Sequence, residues 1–373
     1  MLYKNGYIFF DGQFIHGSFR VENGRFAEIL PAVPAEEGVD LDGAYVIPGL
    51  VDVHTHGNSG ADFSDGDYEG LVSMARYLAQ KGITSFAPAS MTLPYGVLEK
   101  AFATGVKLRQ EQPAGCARIE GIQMEGPFFS EKKKGAQNGA YLQNPDFDAF
   151  QKLFDGCGGL VKIADLAPEL PGSVEFVEKA SKLCTVSVAH TDAAYEDAKA
   201  AFDAGATHLT HLFNAMPAIH HRKPGVIGAA AENENVQAEL ICDGLHVHPS
   251  AVRMAFRLFA GRICLVSDSL RCCGMPDGEY ELGGQQVTLQ GSIAKLADGT
   301  IAGAATNLYD GMKNAVKFGI SKEEAILSAT WNPAKALGRL DEIGSIAPGK
   351  RADFVICDRE LNRKQVYISG NPI

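Results

Sequence analysis

Six residues in this 373-residue chain share one pattern: each ends a short apolar run, and each is of a type that binds metal or moves protons. His54 and His56 close the run that begins Leu50-Val51-Asp52-Val53, which then meets Gly57. Glu125 closes Ile122-Gln123-Met124 just before Gly126-Pro127. His190 ends Val186-Ser187-Val188-Ala189, His211 ends His208-Leu209-Thr210, and Asp268 ends Leu265-Val266-Ser267. In a strand, residues i and i+2 project to the same side. His54 and His56 therefore aim two imidazoles at one point, where a divalent ion fits. A carboxylate with two oxygens can bridge two ions about 3.5–4 Å apart, and Glu125 is placed for that. One ion would take His54, His56 and Glu125; the other would take Glu125, His190 and His211. Nitrogen and oxygen donors without thiolate suit Zn²⁺, and also Fe²⁺, Mn²⁺ or Co²⁺. Such ions acidify bound water, and Asp268 can take the released proton and deliver it to a leaving amine.

Each residue alone has an ordinary structural reading. Glu125 suits a turn, His190 a loop entering a helix, and Asp268 a helix N-cap. His208 lies inside its run and reads as a packed histidine behind the ligands. The metal reading rests on the set: metal-type residues end five separate strand-like runs. The loop Asn214-Ala215-Met216 to Arg222-Lys223-Pro224-Gly225 follows His211 directly. It is basic in a chain of net charge −11, and the planar fork of Arg222 matches phosphate oxygens.

The elements that position these residues follow from the pattern of the middle of the chain. Strand-like runs fall at 50–54, 83–88, 119–124, 161–166, 184–189, 206–210, 236–242 and 262–267, with helix-like runs between them. Tyr68 to Gly82 and Ala194 to Gly205 are examples, each ending in glycine. Eight strands alternating with helices predict a (β/α)₈ TIM-like barrel, whose catalytic groups come from C-terminal strand ends. A doubly wound open sheet is the competing architecture, but no GxGxxG follows the first strand. Gly278 to Gly284 and Gln286 to Gly291 read as a β insertion. Ser321-Lys-Glu-Glu324 reads as a capping box opening a helix to about Leu337. The two ends are β-rich, with Asn-Gly turns at 5–6 and 23–24. They predict a small β-sandwich domain built from residues 1–48 and 344–373, around a catalytic barrel of 49–343.

Composition narrows the function. The acidic balance argues against nucleic acid as a partner. No apolar run reaches the ~20 residues of a membrane span, and no signal-peptide pattern opens the chain. Eight scattered cysteines, most in apolar runs, predict reduced thiols in a cytoplasmic protein. Cys272-Cys273 reads as a pair of loop thiols near the site, with no assigned role.

The motifs together resemble the N-acetylglucosamine-6-phosphate deacetylases of the amidohydrolase superfamily, over nearly the whole chain. Carrying the resemblance are Gly49–Gly57 with its HxH, Glu120-Gly-Ile-Gln-Met-Glu-Gly-Pro-Phe128, Val188-Ala-His-Thr191 and Thr210-His-Leu-Phe-Asn-Ala-Met216. Asp243-Gly-Leu-His246, Pro276-Asp-Gly-Glu-Tyr-Glu-Leu-Gly-Gly284 and Gly344-Ser-Ile-Ala-Pro-Gly-Lys-Arg-Ala-Asp353 add to it. The resemblance implies hydrolysis of the acetamide, a linear C–N amide, of an amino-sugar phosphate to a free amine and acetate. It implies Glu125, His190 and His211 as the shared metal site, with His54 and His56 adding a second ion, so one or two divalent ions per subunit. Asp268 takes the acid/base role. Ala136, Gln137, Asn214, Ala215, Arg222 and His246 fall at substrate contacts, and a loop of Ile301, Ala302, Gly303 and Ala304 lines the acetyl pocket. A homodimer is implied as well. Gln137 stands where the family usually has histidine, and Arg271-Cys272-Cys273 replaces small residues. These departures leave open another N-acyl hexosamine phosphate, such as N-acetylgalactosamine 6-phosphate. A non-catalytic sugar-phosphate sensor on the same fold is the alternative of a different class.

Overall fold

The computed structural model describes all 373 residues. Eight parallel strands form a ring: Leu50–Thr55, Ile83–Pro88, Arg118–Ile119 continued by Ile122–Met124, Val161–Leu166, Thr185–Val188, His208–Leu209, Gln237–Ile241 and Ile263–Val266. Ladders join them in chain order as two arcs. Parallel bridges from Ala89 to Gln123 and from Thr55 to Ser269 span the two gaps. This is the barrel that the strand–helix alternation predicts. Every residue of the first two strands is buried, as expected where both faces of a parallel sheet are covered.

The covering helices follow the usual amphipathic logic. In Tyr68–Gln80 the Asp67 carboxylate accepts from the Gly70 amide at 2.9 Å, satisfying one of the first-turn N–H groups. Leu71, Met74, Ala75, Leu78 and Ala79 form its buried stripe at helical spacing. Truncating Leu78 to alanine would cost about 2–5 kcal/mol.

Two elements differ from expectation. The sixth strand is only His208–Leu209, because His211 takes a left-handed backbone, φ 32°, and leaves the ladder early. The helix expected from Ser321 to Leu337 is two, Lys322–Ala329 and Trp331–Ala336, broken at Thr330. Pro333 explains the break, since its ring clashes with the carbonyl four residues back.

The β insertion has four antiparallel strands: Gly278–Leu282, Gln285–Gln290, Ile293–Leu296 and Ile301–Ala304. The last was expected as a loop. It is a strand because it pairs antiparallel with Ile293–Leu296, and a parallel bridge from Ala304 to Ser269 hooks the insertion onto the exit of the eighth barrel strand.

Both chain ends enter one eight-stranded sheet, where Tyr45–Pro48 pairs antiparallel with Phe354–Cys357. It has its own core, including Phe19, Phe26 and Phe354. The pairing is a seven-strand path with Val39–Asp40 branching from the first strand of the chain, and it does not by itself divide into the two facing sheets of a sandwich. Arg351 fastens this sheet to the barrel. Its guanidinium donates to Glu120 Oε1, Asp353 Oδ2 and Ser85 Oγ, each at 2.6 Å, and Arg339 donates to Glu120 Oε2 at 3.1 Å. All eight cysteines are unpaired, and no helix is long and apolar enough to cross a membrane.

Candidate active site

The C-terminal strand ends bring the six chemistry-bearing residues together. Glu125 is central. Its Oε1 lies 3.1 Å from His190 Nε2, 3.2 Å from His211 Nε2 and 3.5 Å from His54 Nε2. Its Oε2 lies 3.3 Å from His56 Nε2. Asp268 Oδ1 stands 3.4 Å from His56 Nε2 and 3.6 Å from His54 Nε2. All but Asp268 are essentially sealed from solvent; its side chain keeps 13% exposure.

The backbone is bent to achieve this. His190, His211 and Asp268 have φ of 44°, 32° and 48°, a left-handed region that costs a non-glycine residue on the order of 1–3 kcal/mol. Gly126 has φ 94°, and a Cβ there would come within 2.2 Å of Thr92 Oγ1. Only glycine lets the chain turn away directly after Glu125.

The hydrogen bonds fix which ring nitrogens face the centre. His190 Nδ1 donates to the Lys133 carbonyl at 2.9 Å, and His54 Nδ1 to Glu239 Oε2 at 2.8 Å. Both Nε2 lone pairs then point inward. Nε2 atoms of His190 and His211 are 3.1 Å apart, and those of His54 and His56 3.3 Å. Ring nitrogens this close are compatible only if a proton or a cation lies between them. Two groups, His54–His56–Glu125 and Glu125–His190–His211, have donor atoms within 4.8 Å of one another. The residues fit divalent metal, with donors of the right kind.

The electrostatics agree. Burial disfavours charge on Glu125, but His54 and the hydrogen bonds from His190 and His211 outweigh it and hold the carboxyl well below its usual range. Burial likewise opposes protonation of His56, yet its bonds to Asp268 and Glu125 push it up to about 10. Asp268 is also held down, by His54 and His56 against burial. Carboxylates that favour positive charge this strongly make a site suited to a cation, whose binding would displace the imidazole protons.

A cavity of about 210 Å³ opens onto Glu125, His56, His190, His211 and Asp268. Of the residues expected at substrate contacts, Ala136, Gln137, Asn214, Ala215, His246, Ile301, Ala302 and Gly303 line it. Two do not. Ala304 is buried beneath, where its amide donates to the Asp268 carbonyl at 2.8 Å; it holds the acid/base candidate rather than touching a ligand. Arg222 stands on the exposed loop, hydrogen-bonded to His221 at 2.8 Å, because that loop runs outward after Met216. Gln137 is more tied down than its neutral amide implied. Its Nε2 donates to Glu125 Oε2 at 2.6 Å, and its Oε1 accepts from the Thr92 amide at 2.7 Å. His246 Nδ1 donates to Asp243 Oδ2 at 2.6 Å.

Met91 and Thr300 also line the cavity, and neither carries a sequence signal. Glu239 is a further residue of the site, and the sequence carries a signal for it. It interrupts the run Gln237-Ala-Glu-Leu-Ile241, and a carboxylate in a strand buried on both faces needs partners. Those partners are His54, His208 Nε2 at 3.2 Å and the His211 amide at 3.2 Å.

The Amidohydrolase family matches residues 45–373, and the chain belongs to that family. Within it, the chain stands among the amino-sugar-phosphate deacetylases. It is 38% identical to N-acetylglucosamine-6-phosphate deacetylase of Bacillus subtilis (strain 168), over 87% of this chain and 84% of that one. It is 32% identical to N-acetylgalactosamine-6-phosphate deacetylase of Escherichia coli O157:H7, over 94% and 93% of the two chains. The solved N-acetyl-D-glucosamine-6-phosphate deacetylase of Mycobacterium smegmatis superposes with a TM-score of 0.94 at 28% identity, covering 100% of both chains.

Proposed function

We propose that the protein is a divalent-metal-dependent hydrolase that removes the acetyl group from N-acetylglucosamine 6-phosphate, giving glucosamine 6-phosphate and acetate. The observation that carries this is Glu125 held between two histidine pairs, with Asp268 beside it at the floor of a cavity. His54, His56 and Glu125 would hold one ion, and Glu125, His190 and His211 the other. When bound, a divalent ion acidifies water and polarises an amide carbonyl. Asp268 accepts the proton of the attacking water. It returns that proton to the amide nitrogen as the C–N bond breaks, so the products are the free amine and acetate. Gln137 has one amide hydrogen beyond its bond to Glu125, available to a substrate oxygen. Asn214, Ala215 and His246 bind the sugar phosphate, and Ile301, Ala302 and Gly303 enclose the acetyl group. Arg222 is the phosphate contact that resemblance supports and position does not, since it lies outside the cavity.

Zinc is the first ion we infer, with Fe²⁺, Mn²⁺ and Co²⁺ suited to the same donors. Unpaired, largely buried cysteines support a cytoplasmic setting. The homodimer rests on resemblance alone. The terminal sheet's separate core supports reading 1–48 with 344–373 as a small domain beside the barrel.

The galactosamine relative supports a second reading, N-acetylgalactosamine 6-phosphate as substrate. Acetate release from the N-acetyl 6-phosphates of glucosamine, galactosamine and mannosamine, with defined metals, tests both. Fastest turnover of the glucosamine compound is expected. Tight binding of a sugar phosphate with no acetate released would leave a sensor rather than an enzyme.

A further inference from the structure

We propose that Glu239 is the positioning residue that ties the two halves of the metal centre together and sets the affinity of the half built on His54. One carboxylate serves both halves. Its Oε2 accepts from His54 Nδ1 at 2.8 Å and from the His211 amide at 3.2 Å, while Oε1 accepts from His208 Nε2 at 3.2 Å. Its own main-chain carbonyl accepts from the Leu212 amide at 2.9 Å. Glu239 therefore grips His54 by its ring and grips the chain on both sides of the bend at His211.

Each grip has a distinct consequence. The bond to His54 fixes the ring with hydrogen on Nδ1 and the lone pair on Nε2, facing Glu125. A carboxylate behind a ligating imidazole also makes that imidazole a stronger donor. The bonds around His211 hold a residue at φ 32°, where a non-glycine backbone stays only when its surroundings impose it. His208 completes the set: with no side chain at the cavity, it spends Nε2 on Glu239. Glu239 and His208, from the seventh and sixth strands, thus form a fully buried layer beneath the ligand His54.

This rests on the two-metal reading above, and metal affinity, measured without turnover, separates the two. Metal-stripped protein is titrated with Zn²⁺ against a chromophoric chelator. Wild type should take two ions per subunit. Glu239→Gln preserves shape: its carbonyl oxygen still accepts from His54 and His211, and its amide faces His208. It removes the charge, and should weaken one of the two ions by about 10- to 100-fold while affecting the other far less. Glu239→Asp keeps the charge but withdraws it by one methylene, and should weaken both. Wild-type affinities in Glu239→Gln overturn the proposal. So does wild-type affinity in Glu239→Asp, which would reduce the effect to charge without position. Lower melting of the metal-free variants with unchanged affinity would make the role purely structural and also overturn it. If wild type bound a single ion, the two-metal reading would fall, and Glu239 would still be tested on that ion.

Discussion

Glu120 and Glu125 flank Ile122–Met124 of the third barrel strand, both buried, and their surroundings are opposite. Glu120 meets two arginines: Oε1 takes Arg351 and Oε2 takes Arg339, while Arg351 spends its remaining donors on Asp353 and Ser85. That cluster is closed on itself. Glu125 meets four imidazoles, one amide and a cavity. Its neighbours crowd their Nε2 atoms around one carboxylate and leave His56 Nδ1 and His211 Nδ1 without partners. The same residue type thus serves as a fastening where the charges cancel locally, and in the proposed reading as the residue that would hold the ions at the cavity. Burial of charge alone separates neither; the completeness of the partners does.

The comparison breaks first at Asp268. Asp268→Asn should lower kcat about 10²- to 10⁴-fold with metal content unchanged by elemental analysis. A near-wild-type rate would remove the acid/base role. Next, Glu120→Ala should cost about 1.5–3 kcal/mol of folding stability by removing the charged hydrogen-bond partner that Arg351 and Arg339 share, although Arg351 keeps Asp353. Below the melting transition its kcat/KM should stay near wild type. Glu125→Gln should do the reverse, losing metal and activity while the metal-free protein melts close to wild type. Denaturant melts and metal analysis on both variants test this, and parallel behaviour would erase the distinction between the strand ends.

A smaller effect sharpens the active half. His54→Ala with His56→Ala should remove one metal equivalent per subunit and leave the ion held by Glu125, His190 and His211. Unchanged stoichiometry would refute the two-metal assignment. The smallest effect concerns pH. Burial opposes the charge on His246, but its bond to Asp243 outweighs this and raises its pKa above the usual imidazole value. Any binding that depends on the cation is therefore complete below the ordinary value of about 6.5 and is lost as pH rises through the raised value. Asp243→Asn should move the rise of KM with pH to lower pH, and an unmoved profile would detach His246 from the substrate.

The sequence is most legible where chemistry and period coincide. His54-x-His56, Glu125, His190, His211 and Asp268 each end an apolar run, so strand periodicity alone aimed them at one rim. It is least legible where an element's fate depends on a distant partner. Thr330 looks like helix interior until Pro333 is weighed against the carbonyl behind it. Ile301–Ala304 reads as loop because it is short and glycine-containing, and its place is settled by antiparallel pairing with Ile293–Leu296 and by the bridge from Ala304 to the distant Ser269. Glu239 is a lone acid in an apolar strand, a signal whose meaning depends on which strands flank it.

Local order along the chain therefore determined the barrel, the residues at its rim and the kind of ion they suit, because side-chain alternation and donor chemistry are properties of short segments. Only the tertiary structure decided which residues reach the cavity. It turned Arg222 outward, put Ala304 beneath Asp268, locked Gln137 between Thr92 and Glu125, and set Glu239 behind His54. Those placements depend on contacts between segments far apart in the chain, such as the closure that brings the first and eighth strands side by side, and no spacing within a single strand encodes them.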